Sequence, residues 1–181
     1  MSDRRAMATH PDASTFDSAH FRRVLGHFPT GVVAVSAMDG EEPIGMTVGS
    51  FASVSLDPPM VGFFPSLSST SWPRIERAGA FVANVLAEHQ AHLSAVFATS
   101  GGDKFREFDW HRGVTGAPVL DGVAAWIECE VADVVPAGDH LFVLGRVLDL
   151  AVAGDHRPLV FFRGDYARLA GRLREETRRS A

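Results

Sequence analysis

The sequence predicts a mainly β domain with flanking helices, in a chain of 181 residues. About seven short apolar runs alternate with turn-forming Gly, Pro, Asp and Ser residues, which is typical of short strands. Two or three further segments have helical spacing. One domain of this length can bury a substantial core. The pattern favours a closed or partly closed barrel with helical additions.

The chain divides into three predicted parts. Residues 1–15 form a flexible polar tail, residues 16–169 the folded domain, and residues 170–181 a basic C-terminal helix or tail. Residues 168–179 carry an arginine run that could dock an acidic partner or help a dimer to form, although such runs are more often solvated helix faces. Its members are Arg168, Arg172, Arg174, Arg178 and Arg179.

The first half begins with a predicted helix at 18–28, which Pro29 ends. Its apolar face consists of Phe21, Val24, Leu25 and Phe28. Four strands follow, at 32–37, 44–48, 51–54 and 60–64. The Asp57-Pro58-Pro59 sequence must interrupt the pairing, because proline donates no backbone hydrogen bond.

The second half begins with a predicted helix at Trp72–Ala78, with Ser69, Thr70 or Ser71 as N-cap and Gly79 as its end. A buried strand at 81–86 and an amphipathic helix at 88–98 follow. A long polar segment at 99–118 is predicted to be a loop. Further strands are predicted at 123–135, 140–152 and 158–162, with a turn at 136–139 joining the first two.

Composition excludes several classes of function. The net charge of −5 argues against a nucleic-acid partner. No apolar run reaches the ~18 residues of a membrane span, and no apolar signal region is present near the N-terminus, so we expect a cytoplasmic location and no membrane contact. The single Cys129 allows no internal disulfide, and the eight histidines show no metal-ligand spacing.

Familiar nucleotide and hydrolase motifs are missing from the sequence. It has no G-x-G-x-x-G after a strand, no P-loop, no H-E-x-x-H and no G-x-S-x-G. A bound nucleotide would therefore need another phosphate cradle.

Two segments are suited to holding such a ligand. The small polar residues of 45–59, around Gly49, would let a flat ring approach the backbone, although they also fit a plain strand–turn–strand. The hydroxyl run at 66–71 precedes a predicted helix and could hold an anion. Simple N-capping is the alternative explanation, but it needs only one hydroxyl.

Three further segments are weaker candidates, and each has an ordinary structural alternative. Lys104 could neutralise a phosphate and Phe105 could pack on a ring, or both could belong to a solvated loop. His140, after Gly138-Asp139, could hydrogen-bond a ligand edge or simply start a strand. Thr30 could line a ligand or merely follow the helix stop at Pro29.

Taken in order, these segments resemble the short-chain flavin reductase family, which includes the reductase components of two-component flavin-dependent monooxygenases. The resemblance covers about residues 16–169. It is carried by 28–32, 45–59, 66–75, 81–86, 103–105, 118–120 with 129–131, and 138–140.

The resemblance implies an FMN-binding split β-barrel that forms a homodimer. It also implies NAD(P)H-dependent reduction of FMN or FAD, by hydride transfer from C4 of the nicotinamide to N5 of the flavin, with reduced flavin passed to a partner monooxygenase. NADH and NADPH are not distinguished.

The resemblance also implies the site residues. Flavin contacts are expected at Pro29, Thr30, Thr47, Val48, Gly49, Ser50, Phe51, Ala52 and Ser53. Phosphate contacts are expected at Ser66, Ser69 and Ser71 with help from Lys104, while Phe105 packs nearby and His140 orients the nicotinamide. Many members carry Ala-Asn where this chain has Val48-Gly49, so a side-chain hydrogen bond to flavin is lost and the choice of FMN or FAD stays open.

Three alternatives remain at this point. The chain could be a non-catalytic flavin carrier or redox sensor, or a relative of the pyridoxamine phosphate oxidases, which share the barrel type. It could also be a structural dimer without a ligand; the crowded hydroxyls at 66–71 count against that.

Overall fold

The computed structural model describes residues 16–170 as a mainly β structure with three helices and twelve strands. In chain order the elements are α1 (Ser18–Leu25), β1 (Thr30–Gly31), β2 (Val33–Asp39), β3 (Glu42–Val48), β4 (Ala52–Leu56), β5 (Pro59–Phe63), α2 (Trp72–Ala78), β6 (Ala80–Val85), α3 (Ala91–Ala98), β7 (Trp110–Arg112), β8 (Pro118–Leu120), β9 (Ala125–Ala137), β10 (His140–Val152), β11 (Val160–Phe162) and β12 (Asp165–Ala167).

Seven antiparallel strands form the main sheet, in the order β3-β2-β6-β9-β10-β5-β4. Strands β3 and β4 are its two edges, so of the predicted closed or partly closed barrel, the closed form is not made by the hydrogen bonds of this sheet. Two small sheets, β1-β11-β12 and β7-β8, complete the strand pairing of the described residues.

One face of the main sheet carries the larger core cluster. Residues paired across the strands, including Val35, Ala83 and Val143, place apolar side chains on this face because side chains alternate along a strand. The rings of Phe63 on β5 and Phe81 on β6 lie 5.3 Å apart, although two strands separate β5 from β6. Three strand spacings span roughly 14 Å in a flat sheet. The sheet therefore curves around this core.

The opposite face of the sheet holds a buried polar network. The Asn84 side-chain amide donates to Ser36 Oγ at 2.8 Å and accepts from Leu120 N–H at 2.8 Å. The Glu128 carboxylate accepts the backbone N–H groups of Val114 and Thr115. These bonds satisfy polar groups that would be costly to bury unpaired, and they fix β8 and the loop before it onto the sheet.

Predicted boundaries agree with the structure where local signals are strong. Helix α2 and strand β10 have the predicted ends, and α2 stops at Gly79, which has a φ of 73°. A pair of strands, β4 and β5, flanks the Asp57-Pro58 turn as predicted, but Pro59, which was predicted to interrupt the pairing, lies inside β5 and pairs with Leu56.

Other predictions need correction. Helix α1 ends at Leu25 rather than at position 28, and none of its residues is buried. The segment at 88–90 is a turn, so α3 begins at Ala91. The predicted loop at 99–118 contains β7 and the start of β8. Strand β9 extends to Ala137, which leaves Gly138-Asp139 as the turn.

The predicted tails lie almost wholly outside the described residues. This applies to residues 1–15 and 171–181, with four of the five arginines of the basic run. Arg168, within the described range, follows β12 and is not helical. Among the described helices, none has the length and apolar character needed to cross a membrane.

Candidate active site

A cavity of about 480 Å³ opens where four segments of the fold meet. The segments are the end of β3 with the residues after it, the hydroxyl-rich segment before α2, the end of α3 with the loop after it, and the first residue of β10. A volume of this size is in the range of small-molecule and cofactor sites.

Backbone hydrogen bonds join the hydroxyl-rich segment to the β9–β10 turn. Leu67 N–H donates to Asp139 O at 3.0 Å, and Leu141 N–H donates to Pro65 O at 2.9 Å. Ser66 and His140 form an isolated β-bridge between these bonds. Two residues far apart in the chain are thereby held side by side on one wall of the cavity.

The hydroxyl-rich segment is partly engaged by local bonds. Ser66 Oγ and Ser68 Oγ lie 2.8 Å apart, and Ser69 Oγ accepts Trp72 N–H at 3.1 Å. Ser71 is the residue before α2, yet its side chain makes no capping bond to the helix. The N-capping function therefore accounts for Ser69 and leaves Ser71 with another role.

That role involves Lys104, which is buried at the edge of the cavity. Its ammonium donates to Gly45 O at 2.9 Å, Phe97 O at 3.1 Å and Ser71 Oγ at 3.4 Å. Burial lowers the pKa of Lys104. Since Ser71 Oγ accepts from Lys104, its own hydrogen is available to donate to a ligand.

The wall formed by β3 and the residues after it is held by side chains on neighbouring elements. Thr47 Oγ1 donates to Ser94 O on α3 at 2.9 Å, and Ser50 Oγ accepts Phe64 N–H at 2.9 Å. A Cβ added at Gly49 would lie 3.0 Å from Thr30 Oγ1. Glycine at this position therefore permits a close approach of β1 that a larger residue would crowd.

His140 lies at the mouth of the cavity with its ring partly exposed. Its Nδ1–H donates to the Asp139 carboxylate at 2.7 Å. This hydrogen bond lowers the pKa of Asp139, and electrostatic interactions with His140 and Arg22 add to the effect. With Nδ1 engaged, Nε2 is the ring nitrogen available to a ligand.

Nine of the predicted site residues line this cavity. They are Thr47, Val48, Gly49, Ser50, Ser66, Ser69, Ser71, Lys104 and His140. The structure brings them together from two separate stretches of the chain and two single residues, Lys104 and His140.

Six predicted site residues lie elsewhere. Phe105 is buried in the core against Phe97 and Trp110, so it cannot pack on a ligand ring in the cavity. Phe51 packs against the larger core cluster. The remaining four, which do not line the cavity, are Ala52 and Ser53 on β4, Thr30 behind Gly49, and the exposed Pro29.

Sequence reasoning missed the contribution of α3 and the residues after it. Phe97, Ala98, Thr99 and Ser100 line the cavity. The glycine-bearing segment at 99–118 was an available signal, because long polar segments often carry function. Nothing in the local pattern of α3 indicated that its C-terminal end would face the hydroxyl-rich segment.

Fold and site together define a mainly β protein with a polar, hydroxyl-lined cavity beside an antiparallel hairpin. The family model of the flavin reductase like domain matches residues 25–170 of the chain. This chain belongs to that family.

Two curated relatives and one solved structure illustrate the similarity. A flavin reductase of Pseudomonas putida is 48% identical over 158 residues, covering 87% of this chain and 93% of the relative. The reductase subunit HsaB of a flavin-dependent monooxygenase from Rhodococcus jostii is 44% identical over 154 residues, covering 85% and 79%. The Streptomyces globisporus NADH:FAD oxidoreductase SgcE6, solved with NAD and FAD fragments, has a TM-score of 0.81 at 35% identity, covering 85% and 93%.

Proposed function

We propose that this chain is an NAD(P)H-dependent flavin reductase that supplies reduced flavin to a partner monooxygenase. The observation that carries the proposal is the single cavity in which the hydroxyl-rich segment, Gly49 and His140 meet. The family assignment and the relatives named as flavin reductase and monooxygenase reductase subunit support the same activity.

The residues of the cavity fit a flavin. Ser71 offers a hydroxyl hydrogen to an anion, because its oxygen accepts from Lys104. Val48 and Gly49 line the cavity, and because Gly49 has no side chain, a flat ring can approach the backbone there. When bound, the flavin supplies the hydride acceptor and the nicotinamide nucleotide supplies the hydride. The protein brings the two rings together, which is its main contribution to rate.

His140 is assigned an orienting role. Its Nδ1 bonds the Asp139 carboxylate, which leaves Nε2 as the hydrogen-bonding group for the nicotinamide or the flavin edge. Hydride transfer requires no protein nucleophile or acid at the reacting atoms. Loss of His140 is therefore expected to weaken catalysis without abolishing it.

The test is anaerobic reduction of flavin followed by absorbance. Purified protein is mixed with FMN or FAD and then with NADH or NADPH, and the flavin band is expected to bleach. The same traces identify the preferred flavin and nucleotide. Bound flavin that does not bleach would contradict the reductase activity and favour a carrier or sensor.

A matched pair of variants tests the role of His140. His140→Ala is expected to lower the rate of flavin reduction about tenfold, on the scale of one lost orienting hydrogen bond. His111→Ala is the control, because His111 is an exposed histidine beside Asp121 outside the cavity. An equal rate in both variants would remove His140 from the proposal.

We further propose that the protein is a homodimer with a split-barrel fold. Exposed apolar side chains on β4 and β10 support this, including Leu56 at 93%, Leu150 at 59% and Val152 at 81% exposure. Exposed apolar side chains are often covered at an interface between subunits. Sedimentation equilibrium should give the dimer mass. The double variant Leu150→Asp/Val152→Asp should give a monomer, while Val114→Asp, at another exposed apolar position, should not.

A cytoplasmic site of action is part of the same proposal. The activity consumes reduced nicotinamide nucleotide, and its supply is cytoplasmic. Cell fractionation with an antibody against the protein tests this location, and recovery outside the cytoplasmic fraction would contradict it.

A further inference from the structure

A second, mainly apolar cavity adjoins the candidate active site. It encloses about 200 Å³ between α3, the end of β3 and the small sheet β1-β11-β12. We call it the side pocket. Four of its lining residues lie outside the main cavity, namely Val32, Ser94, Phe161 and Tyr166. Among the lining residues, all of which belong to the described range 16–170, none is charged. A site of this size and lining suits a small uncharged molecule.

The side pocket and the main cavity have one wall in common. Thr47, Gly49 and Ala98 line both of them. Since Gly49 has no side chain and Ala98 has a single methyl group, these two positions add little bulk between the cavities. A molecule in the side pocket therefore lies against residues that also line the main cavity, where the flavin is proposed to bind.

Two aromatic rings line the side pocket. Phe161 on β11 pairs with Tyr166 on β12, and their ring centres lie 5.7 Å apart with the ring planes at 71°. Aromatic ligands pack well on rings arranged in this way. A cavity of roughly 150 Å³ lined by apolar side chains holds benzene. The side pocket therefore has room for one six-membered aromatic ring with a small substituent.

Ser94 gives the side pocket one polar corner. Its Oγ accepts from Tyr166 Oη at 2.9 Å, and its backbone carbonyl accepts from Thr47 Oγ1 at 2.9 Å. Because Tyr166 and Thr47 each donate their one hydroxyl hydrogen to Ser94, their oxygens can only accept from a ligand. Ser94 Oγ keeps its own hydrogen and can donate it. This combination suits a ligand hydroxyl group, which both donates and accepts.

We propose that the side pocket binds a small phenol alongside a flavin in the main cavity. The aromatic ring packs against Phe161 and Tyr166, while the phenol hydroxyl donates to Tyr166 Oη and accepts from Ser94 Oγ. This site goes beyond the proposed reductase function. Because the two cavities share a wall, an aromatic compound in the side pocket can alter flavin affinity, and the flavin alters its affinity by the same factor.

The first experiment is titration calorimetry with phenol and with toluene, in the absence of flavin and nucleotide. Toluene has nearly the same shape and carries a methyl group in place of the hydroxyl. The wild type should bind one phenol per chain. Tyr166→Phe keeps the ring and removes the accepting oxygen, so phenol affinity should fall about tenfold while toluene affinity stays the same. No saturable phenol binding to the wild type would overturn the proposal, as would an unchanged phenol affinity in Tyr166→Phe.

A matched pair of variants on β11 locates the bound phenol. Phe161→Ala removes one ring of the side pocket and should weaken the binding of phenol and toluene alike, by at least about fivefold. Phe162→Ala is the control, because Phe162 is the next residue and does not line the side pocket. The two side chains are similarly exposed, at 41% and 36%. Equal losses of affinity in both variants would overturn the assignment to the side pocket.

Flavin titrations at rising phenol concentration distinguish a separate site from a part of the flavin site. If both ligands bind together, the apparent Kd of FMN or FAD reaches a plateau once phenol saturates. An apparent Kd that keeps rising in proportion to phenol concentration would mean that phenol takes the place of the flavin, and it would overturn the proposal. If the chain binds no flavin, the proposed function fails, while the phenol titrations without flavin still decide whether the side pocket binds phenol.

Discussion

Among single residues, Lys104 was expected to bind a phosphate of the ligand, but its ammonium donates to oxygen atoms of the protein. Its ammonium joins Gly45 on β3, Phe97 on α3 and Ser71 before α2. All three of its hydrogens are directed at protein oxygens. Its main effect is therefore to hold three walls of the cavity together and to orient the Ser71 hydroxyl.

The first prediction concerns Lys104→Met. Removing the ammonium leaves two carbonyl groups without their partner, at a cost of about 1–3 kcal/mol each. We expect affinity for FMN and for riboflavin, which lacks the phosphate, to fall by similar factors of at least about tenfold. Fluorescence titration measures both. Arg106→Met, an exposed cation in the same loop, is the control. Loss of FMN affinity alone would show that Lys104 acts on the phosphate directly.

The second prediction concerns Cys129, whose burial in β9 beside Glu128 raises the pKa of the thiol from 9.0 to about 12. The unfolded thiol ionises first as the pH rises, so the unfolded state binds fewer protons in this window. The free energy of unfolding should therefore fall from about pH 9 towards pH 12. Urea titrations across this range should show a shallower fall for Cys129→Ala, and an identical slope would contradict the assignment.

At the scale of elements, α2 shows how a local signal fixes a boundary. Gly79 ends the helix at a φ of 73°, and its N–H donates back to Ile75 O and Glu76 O. Residues other than glycine rarely adopt this conformation. The glycine was visible in the sequence, and the predicted end was correct for this reason.

The third prediction tests this helix end. Gly79→Ala should destabilise the protein by about 1 kcal/mol through the positive φ alone, because nothing lies within 4 Å of the added Cβ. Gly31→Ala also adds a Cβ in open space, but at a residue without a positive φ, and should be close to neutral. Chemical denaturation measures both. Equal stabilities would contradict the conformational argument.

Elements without strong end signals could not be predicted from the sequence. Strands β7 and β8 have three residues each, too few to show an alternating pattern. The apolar face of α1 has the expected spacing but lies exposed, because spacing predicts a face and does not say what covers it. The start of α3 is set by Gln90, whose side-chain oxygen accepts Ala87 N–H. Helix propensity does not reveal this hydrogen bond.

At the scale of the whole molecule, the sheet order depends on contacts distant in sequence. Strand β6 pairs with both β2 and β9, and β10 pairs with β5, so the order is decided by which faces bury together. Turn signals predicted hairpins but not these pairings. The cavity has the same origin: the family resemblance named the hydroxyl-rich segment and His140, while the end of α3 enters only through tertiary packing.

The fourth prediction is a ligand-dependent rise in thermal stability. The cavity joins segments of both halves of the chain, so a bound flavin stabilises the folded state as a unit. At a flavin concentration about 100 times the Kd, the gain is about 2.7 kcal/mol. The Tm should rise by roughly 5–10 °C for a chain of this size. Scanning calorimetry with FMN, and with AMP as the non-flavin control, measures the shift. FAD is measured in the same way, and no shift with either flavin would contradict flavin binding.

The aromatic packing of the larger core limits which amino-acid replacements the protein can accept at positions that contact these rings. A Cβ at Gly145 would lie 2.6 Å from the Phe81 ring, and the Phe81 ring contacts Phe63, which contacts Trp72. The backbone N–H of Trp72 in turn donates to Ser69 Oγ at the cavity. In a mutant library selected for activity, position 145 should therefore tolerate few replacements although it lines no cavity. Those that survive should be accompanied by a smaller residue at position 81.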